Sequence, residues 1–308
     1  MPLYLTRTNL HDLKTDAKVI GSCPYASVKR NASWQPDLWA EQRRIEALPV
    51  GESMMTSGQQ FDAKYGVITK TPIWEGGSRR ETLRLAACYD SALRLAHRRR
   101  CRSIAFPLLS GDCHGFPREL ALKTAMDTVG EFLTKYDLTV YLSVRDSWVN
   151  QLPKPELPGI SPLPETLPGN NAPDSQPAQP RGFHFHLGHS QTADPARESF
   201  SKALEQRMEE RDIKEPELCQ KANLERRVVS KIRSDSAVPG KNTVLALALA
   251  LELNLKETEQ LLKTAGYGLS DSSRLDVLVK YYIQQGNFRI FDVNRTLFLY
   301  EQPQLGED

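Results

Sequence analysis

Asp112, Cys113 and His114 set a carboxylate, a thiol and an imidazole side by side, flanked by Ser110, Gly111, Gly115 and Phe116. Two kinds of chemistry suit those side chains. One is nucleophilic or acid–base catalysis, although three neighbours in one loop rarely converge on a single reacting atom. The other is anion binding, and the flanking sequence favours it. Residues 104–109 (IAFPLL) form an apolar run, and Pro117 opens a segment with helical spacing at Leu120, Leu122, Ala125, Val129 and Phe132. A buried strand, a tight loop and a helix in that order aim backbone N–H groups and the positive helix end at an anion above the strand's carboxyl edge. Gly111 and Gly115 let the backbone approach closely and take positive φ.

The run AFPLLSGDCHGFP resembles the second ligand loop of macrodomains, written as AFP, two apolar residues, Ser-Thr-Gly, two more, then Gly-aromatic-Pro. Upstream, GESMMTSGQQFDAKYGVITKTPIWEGG at residues 51–77 resembles that family's GEAVIT, loop, YVIHTVGPVW stretch. Residues 83–93, with Cys88-Tyr89, resemble its Cys-Tyr helix. The match spans roughly residues 1–146 in the family's order. The resemblance implies a three-layer α/β macrodomain-like fold that binds ADP-ribose or a related NAD-derived nucleotide and requires no cofactor. By the same resemblance, Asn9, followed by Leu10, falls where the family places the Asp that holds the adenine amino group. An Asn carbonyl accepts that bond without charge. Ser110 to Phe116 hold the phosphate cradle, with His114 in place of the aromatic on the distal ribose and Phe116 as the next aromatic.

The resemblance also departs from the family. Ile20-Gly21-Ser22-Cys23-Pro24 stands where macrodomains have Asn-Ala-Ala-Asn and a glycine run, with Cys23 near the second Asn. That absence favours binding over ADP-ribosyl hydrolysis. Asp112 replaces a glycine and puts a carboxylate near the diphosphate. Some macrodomains hydrolyse ester-linked ADP-ribose with a loop Asp, so the catalytic reading of that loop stays open.

The elements that must position these residues are legible in part. Residues 3–7 and 17–22 read as strands, and residues 34–48 as a helix with Trp39, Ile45 and Leu48 on one side. The net charge of +2 hides an asymmetry: residues 1–150 carry 21 Lys+Arg against 16 Asp+Glu, residues 151–195 carry 2 against 4, and residues 196–308 carry 17 against 18. The first region is the basic one, which suits an anionic ligand. His97 to Arg100 end a helix, where cations complement the dipole. Five scattered cysteines without CxxC spacing suit a reducing cytoplasm, and no apolar window approaches a membrane span. Two domains are the natural reading of this length.

Residues 151–195 hold ten of the twenty prolines and read as an extended linker, interrupted by GFHFHLGH at 182–189. Those histidines lack the Cys or carboxylate neighbours of a metal site, and none is assigned. Residues 196–308 read as an all-helical domain. Within residues 200–266, the stretches at 217–224, 225–233 and 239–253 resemble the Cro/repressor helix-turn-helix. That resemblance makes residues 225–233 the recognition helix. It implies DNA contacts from Arg226, Arg227, Ser230 and Lys231, with Lys241 and Asn242 facing phosphate. Residues 275–283 and 293–300 offer core or a homodimer surface. Together these features describe a cytoplasmic nucleotide sensor with a DNA- or partner-binding module. A hydrolase targeted by its helical domain and a protein–protein adaptor in a stress or defence module are the alternatives.

Overall fold

The computed structural model describes residues 2–21, 47–110, 114–158 and 199–306. They form two compact units, Leu3–Pro153 and one containing Lys154–Asp308.

The first unit is built on a six-stranded sheet: β1 (Leu3–Thr6), β2 (Ala17–Gly21), β3 (Ser53–Ser57), β4 (Tyr65–Thr69), β5 (Ser103–Pro107) and β6 (Thr139–Ser143), in the order β1-β6-β5-β2-β4-β3. Only β3 is antiparallel, against β4. The central strands AKVIG and SIAFP read as near-continuous apolar runs because the sheet is covered, not because they alternate. Helix α1 (Glu81–Arg98) crosses from β4 past β2 to β5, and α2 (Arg118–Leu133) joins β5 to β6. Leu85, Cys88, Tyr89, Ala92, Leu93 and Ala96 recur at three- and four-residue spacing on the buried side of α1, which packs beside α2. The described residues thus give the sheet and one helical layer. The helix read over 34–48, apart from its last two residues, lies outside the described residues. A short helix, α3 (Asp146–Val149), closes the unit.

The second unit is helical: α4 (Phe200–Glu210), α5 (Glu215–Lys221), α6 (Arg226–Arg233), α7 (Lys241–Ala250), α8 (Leu255–Thr264), α9 (Arg274–Gln284) and α10 (Ile290–Leu299). Helix α7 is apolar all round, TVLALALA, and is buried along its length as the central element. Asn254 and Glu257 cap α8 reciprocally. Arg211 donates to the carbonyls of Leu251 and Glu252 at the exit of α7 and to Glu257, at 2.9–3.0 Å. Leu275, Leu278, Val279, Ile283, Ile290, Val293 and Leu297 all lie in this core. The apolar stripes of α9 and α10 are therefore spent on internal packing rather than on a homodimer surface.

The stretch read as linker differs at its start. Tyr300 donates its hydroxyl to the Pro155 carbonyl at 3.1 Å, Lys154 sits over the Tyr300 ring, and Leu157 packs on the helical core. Residues 159–195, with the aromatic–histidine segment, lie outside the described residues. Among the described residues no helix is long and apolar enough to cross a membrane.

Candidate functional site

All five parallel strands end at one edge, and the segments that leave them meet there. Adjacent strands β2 and β5 lead away in opposite directions, toward β4 and toward β6, which makes their carboxyl ends the switch point of the sheet. Gly21 closes β2 there; a Cβ at that position would lie 3.1 Å from Thr71 Cγ2 and 3.3 Å from Leu109 Cδ2. The strand end, the segment after β4 and the segment after β5 are packed to backbone distance.

The loop after β5 is held from beneath. The Leu109 N–H donates to the buried Tyr89 hydroxyl at 2.9 Å, and burial pushes that phenol's pKa well up, so it stays neutral. Ser110 takes a left-handed φ of 62°, unusual for a residue other than glycine, and its hydroxyl donates to the Pro72 carbonyl at 3.2 Å. His114 is buried. Its Nε2 lies 3.2 Å from Thr71 Oγ1, and its carbonyl accepts the Trp74 N–H at 2.8 Å. Phe116 is buried with its ring 4.7 Å from that of Trp74. The His114 imidazole and the Phe116 ring thus join the β4 and β5 loops through Thr71 and Trp74. Gly115 has a φ of +68°, and nothing lies within 4 Å of where a Cβ would point.

The β4 loop has its own brace. The buried Glu81 carboxylate, at the start of α1, accepts N–H bonds from Glu75, Gly77 and Arg79 at 2.8–3.1 Å. Burial works to raise its pKa, but the backbone N–H bonds outweigh that and hold the carboxyl below the usual range. Sequence reasoning missed Thr71, Trp74, Tyr89 and Glu81 as supports. An acidic residue at a helix start, four positions after Gly77, was the available signal for Glu81.

The β1 loop reaches the same edge. Ser143 donates to the Thr8 carbonyl at 2.7 Å and the Val144 N–H to Thr6 at 2.8 Å. Lys18, fully buried in β2, donates to the His11 carbonyl at 2.8 Å, and desolvation lowers its pKa. Asn9 is exposed within this tied loop, its carbonyl accepting from the Asp12 N–H, and Leu10 is half-buried. Asn9, Ser110, Gly115 and the loop supports thus share one edge. Cys23, Gly111, Asp112 and Cys113 lie outside the described residues. Among the described residues no group of three His, Cys, Asp or Glu side chains could hold a metal.

In the helical unit, Arg226, Arg227, Ser230 and Lys231 lie on the exposed side of α6, with Val229 and Ile232 turned inward. Helices α5 and α6 are joined by a four-residue turn, in which Asn223 is left-handed. Arg227 is ion-paired with Glu225. Lys241 does not face a phosphate site: its ammonium sits 2.6 Å from the Oδ2 of Asp276, which is fully buried. A buried carboxylate demands a cation more strongly than solvent does. Asn242, the next residue, is half-buried.

A Macro domain family model matches residues 28–125. A macro domain-containing protein of Methanosarcina mazei is 41% identical over 109 residues, 35% of this chain and 58% of the relative. An O-acetyl-ADP-ribose deacetylase of Klebsiella pneumoniae is 39% identical over 89 residues, 29% of this chain and 51% of the relative. The chain thus spans between half and two-thirds of the length of the curated relatives it matches. Among solved structures, the Oceanobacillus iheyensis macrodomain with ADP is 26% identical, with a TM-score of 0.41 over 47% of this chain and 84% of the other.

Proposed function

We propose that the α/β unit binds ADP-ribose or a related NAD-derived nucleotide at the carboxyl edge of its sheet and does not hydrolyse it. The helical unit then passes the outcome to DNA or to a protein partner. The observation that carries the first part is the interlocked pair of loops after β4 and β5, which presents Gly115 and a left-handed Ser110 at the start of α2. Ser110, His114 and Phe116 are held in place before ligand arrives, so little ordering entropy opposes binding at those positions. The Macro domain match over residues 28–125 supports the ligand class. The absence of the Asn pair and glycine run from residues 20–27 supports binding without turnover.

Calorimetry of the full chain against ADP-ribose, ADP and NAD is the test. Gly115→Glu should abolish the heat at a cost of only about 1–2 kcal/mol in stability, the strain of a non-glycine residue at φ +68°. Wild-type protein that gives no heat with any of the three defeats the reading. Turnover of O-acetyl-ADP-ribose that disappears in Asp112→Ala or His114→Ala would replace it with the hydrolase.

For the helical unit, the exposed side of α6 after a four-residue turn favours DNA reading. Arg226→Ala and Arg227→Ala should each weaken operator binding by about 1–3 kcal/mol if they contact bases. A gel shift with the protein's own promoter region checks this.

A further inference from the structure

We propose that the α/β unit carries a second anion surface, at the edge opposite the nucleotide loops, that binds the phosphate backbone of double-helical nucleic acid. This inference is independent of the nucleotide reading. Helix α1 ends at Arg98 with Arg99 as its cap, and Arg100, Cys101 and Arg102 lead directly into the first residue of β5. Arg98, Arg99, Arg100 and Arg102 are all exposed, and among the described residues none of the four forms an ion pair. Lys64, exposed at the start of β4, joins them. Burial and Asp16 raise the Cys101 thiol pKa, while Lys64 and Arg99 lower it, which places both cations around that buried sulfur.

The neighbouring charges are accounted for differently. Arg94 is 2.6 Å from Asp90, and Lys135 is paired with Glu131. The His97 ring packs 4.5 Å from Tyr136. Asp16, the carboxylate that bears on Cys101, spends one oxygen on the Arg102 N–H at 2.6 Å.

Complementing the helix dipole does not account for this concentration. A helix end presents about half a charge, and the α1 carbonyls are already satisfied: the Cys101 N–H bonds Ala96 at 3.0 Å and the Arg100 N–H bonds His97 at 2.9 Å. That pair of bonds is a Schellman closure, and its left-handed position is held by Arg100 at φ 56°. In the helical unit the corresponding positions after α4 to α10 are Asp, Asn, Glu or Gly. Four guanidinium groups within five residues, on a rigid edge, match a polymer with one phosphate per about 1.7 Å of helix axis. Among the described residues the ring next to them, His97, packs on Tyr136 rather than standing free for an unpaired base, which favours a duplex over a single strand. Five-residue strands separate the two edges by roughly 15 Å, so nucleotide and duplex need not exclude each other.

The test uses fluorescence anisotropy of full-length protein with two labelled 20-base-pair DNA duplexes of unrelated sequence. Arg226→Ala/Arg227→Ala serves as the background, so that the helical unit does not contribute. That background should bind both duplexes equally. Adding Arg98→Gln, Arg99→Gln, Arg100→Asn and Arg102→Gln should weaken binding at least tenfold and lower the log–log salt slope by about 3–4, at about 0.9 per phosphate contact. Should the combined variant unfold, each single substitution should lower the slope by about 0.9. Saturating ADP-ribose should leave duplex affinity within twofold. Absence of duplex binding by the background at 50 mM salt, an unchanged slope in folded variants, or competition by ADP-ribose would each overturn the proposal.

Discussion

The two units use charge in opposite ways. In the helical unit cations and carboxylates are matched: Arg233 bridges Glu205 and Glu215, Arg211 and Arg207 share Glu257, Lys221 lies between Glu217 and Glu252, and Lys241 neutralises the buried Asp276. In the α/β unit the excess of basic residues gathers at the α1–β5 turn, without ion pairs among the described residues. Helices joined by short turns need their ends tied to one another, and paired side chains do that work. A hydrogen-bonded sheet is already tied by its backbone, so its rim charges remain available for ligands.

That contrast can be broken by experiment. Lys241→Met leaves Asp276 buried with only the Ser270 N–H on Oδ2, and should destabilise the helical unit by about 3 kcal/mol, the cost of orphaning a buried charge. Urea unfolding measures it; a loss below about 1 kcal/mol would show that water screens the pair and that the matched charges are ornamental.

In the α/β unit the corresponding weak point is a neutral bond. Tyr89→Phe strands the Leu109 N–H and should cost about 2 kcal/mol. Because the bond lies under the β5 loop, the same variant should weaken ADP-ribose binding several-fold. Calorimetry beside thermal melting separates the two effects.

A smaller effect concerns pH. The folded Glu81 carboxyl titrates below the ordinary glutamate value of 4.5. Its contribution is therefore complete above that value and is lost as pH falls through the depressed one. Melting curves from pH 6 to pH 3 should fall in wild type below about pH 4.5, and Glu81→Gln should flatten that acid limb. An unchanged limb would move the acid sensitivity to other carboxylates.

The smallest change is expected at Lys221. Its pairs with Glu217 and Glu252 are solvent-exposed, so Lys221→Ala should cost no more than about 1 kcal/mol and less still in high salt. A larger, salt-resistant loss would mean that the exposed pairs also hold the bundle.

Much of the fold is legible in the chain itself. The apolar run at 104–109 and the helical spacing after Pro117 recur as β5 and α2, with Leu108 and Leu109 buried just beyond the strand. Helices α4, α6 and α7 fall within a few residues of their periodic segments. Strand and helix periods are local signals, written over a dozen residues at most. Of the candidate site, the positive φ of Gly115 was legible because glycine adopts that conformation without a Cβ clash.

The sequence by itself determined the strand–loop–helix at the carboxyl edge of the sheet and the basic excess of the first 150 residues. Tertiary structure alone decided what individual side chains do. His114 answers to Thr71, 43 positions away, and Lys241 to Asp276, 35 positions away. Lys18 is buried because a loop outside β2 folds over it and offers the His11 carbonyl. A side chain's partner depends on which distant segments the fold brings within about 3 Å, and no local pattern encodes that distance. The same rule explains why an exposed arginine cluster and a buried histidine look equally functional in the chain, while only their surroundings separate a surface from a brace.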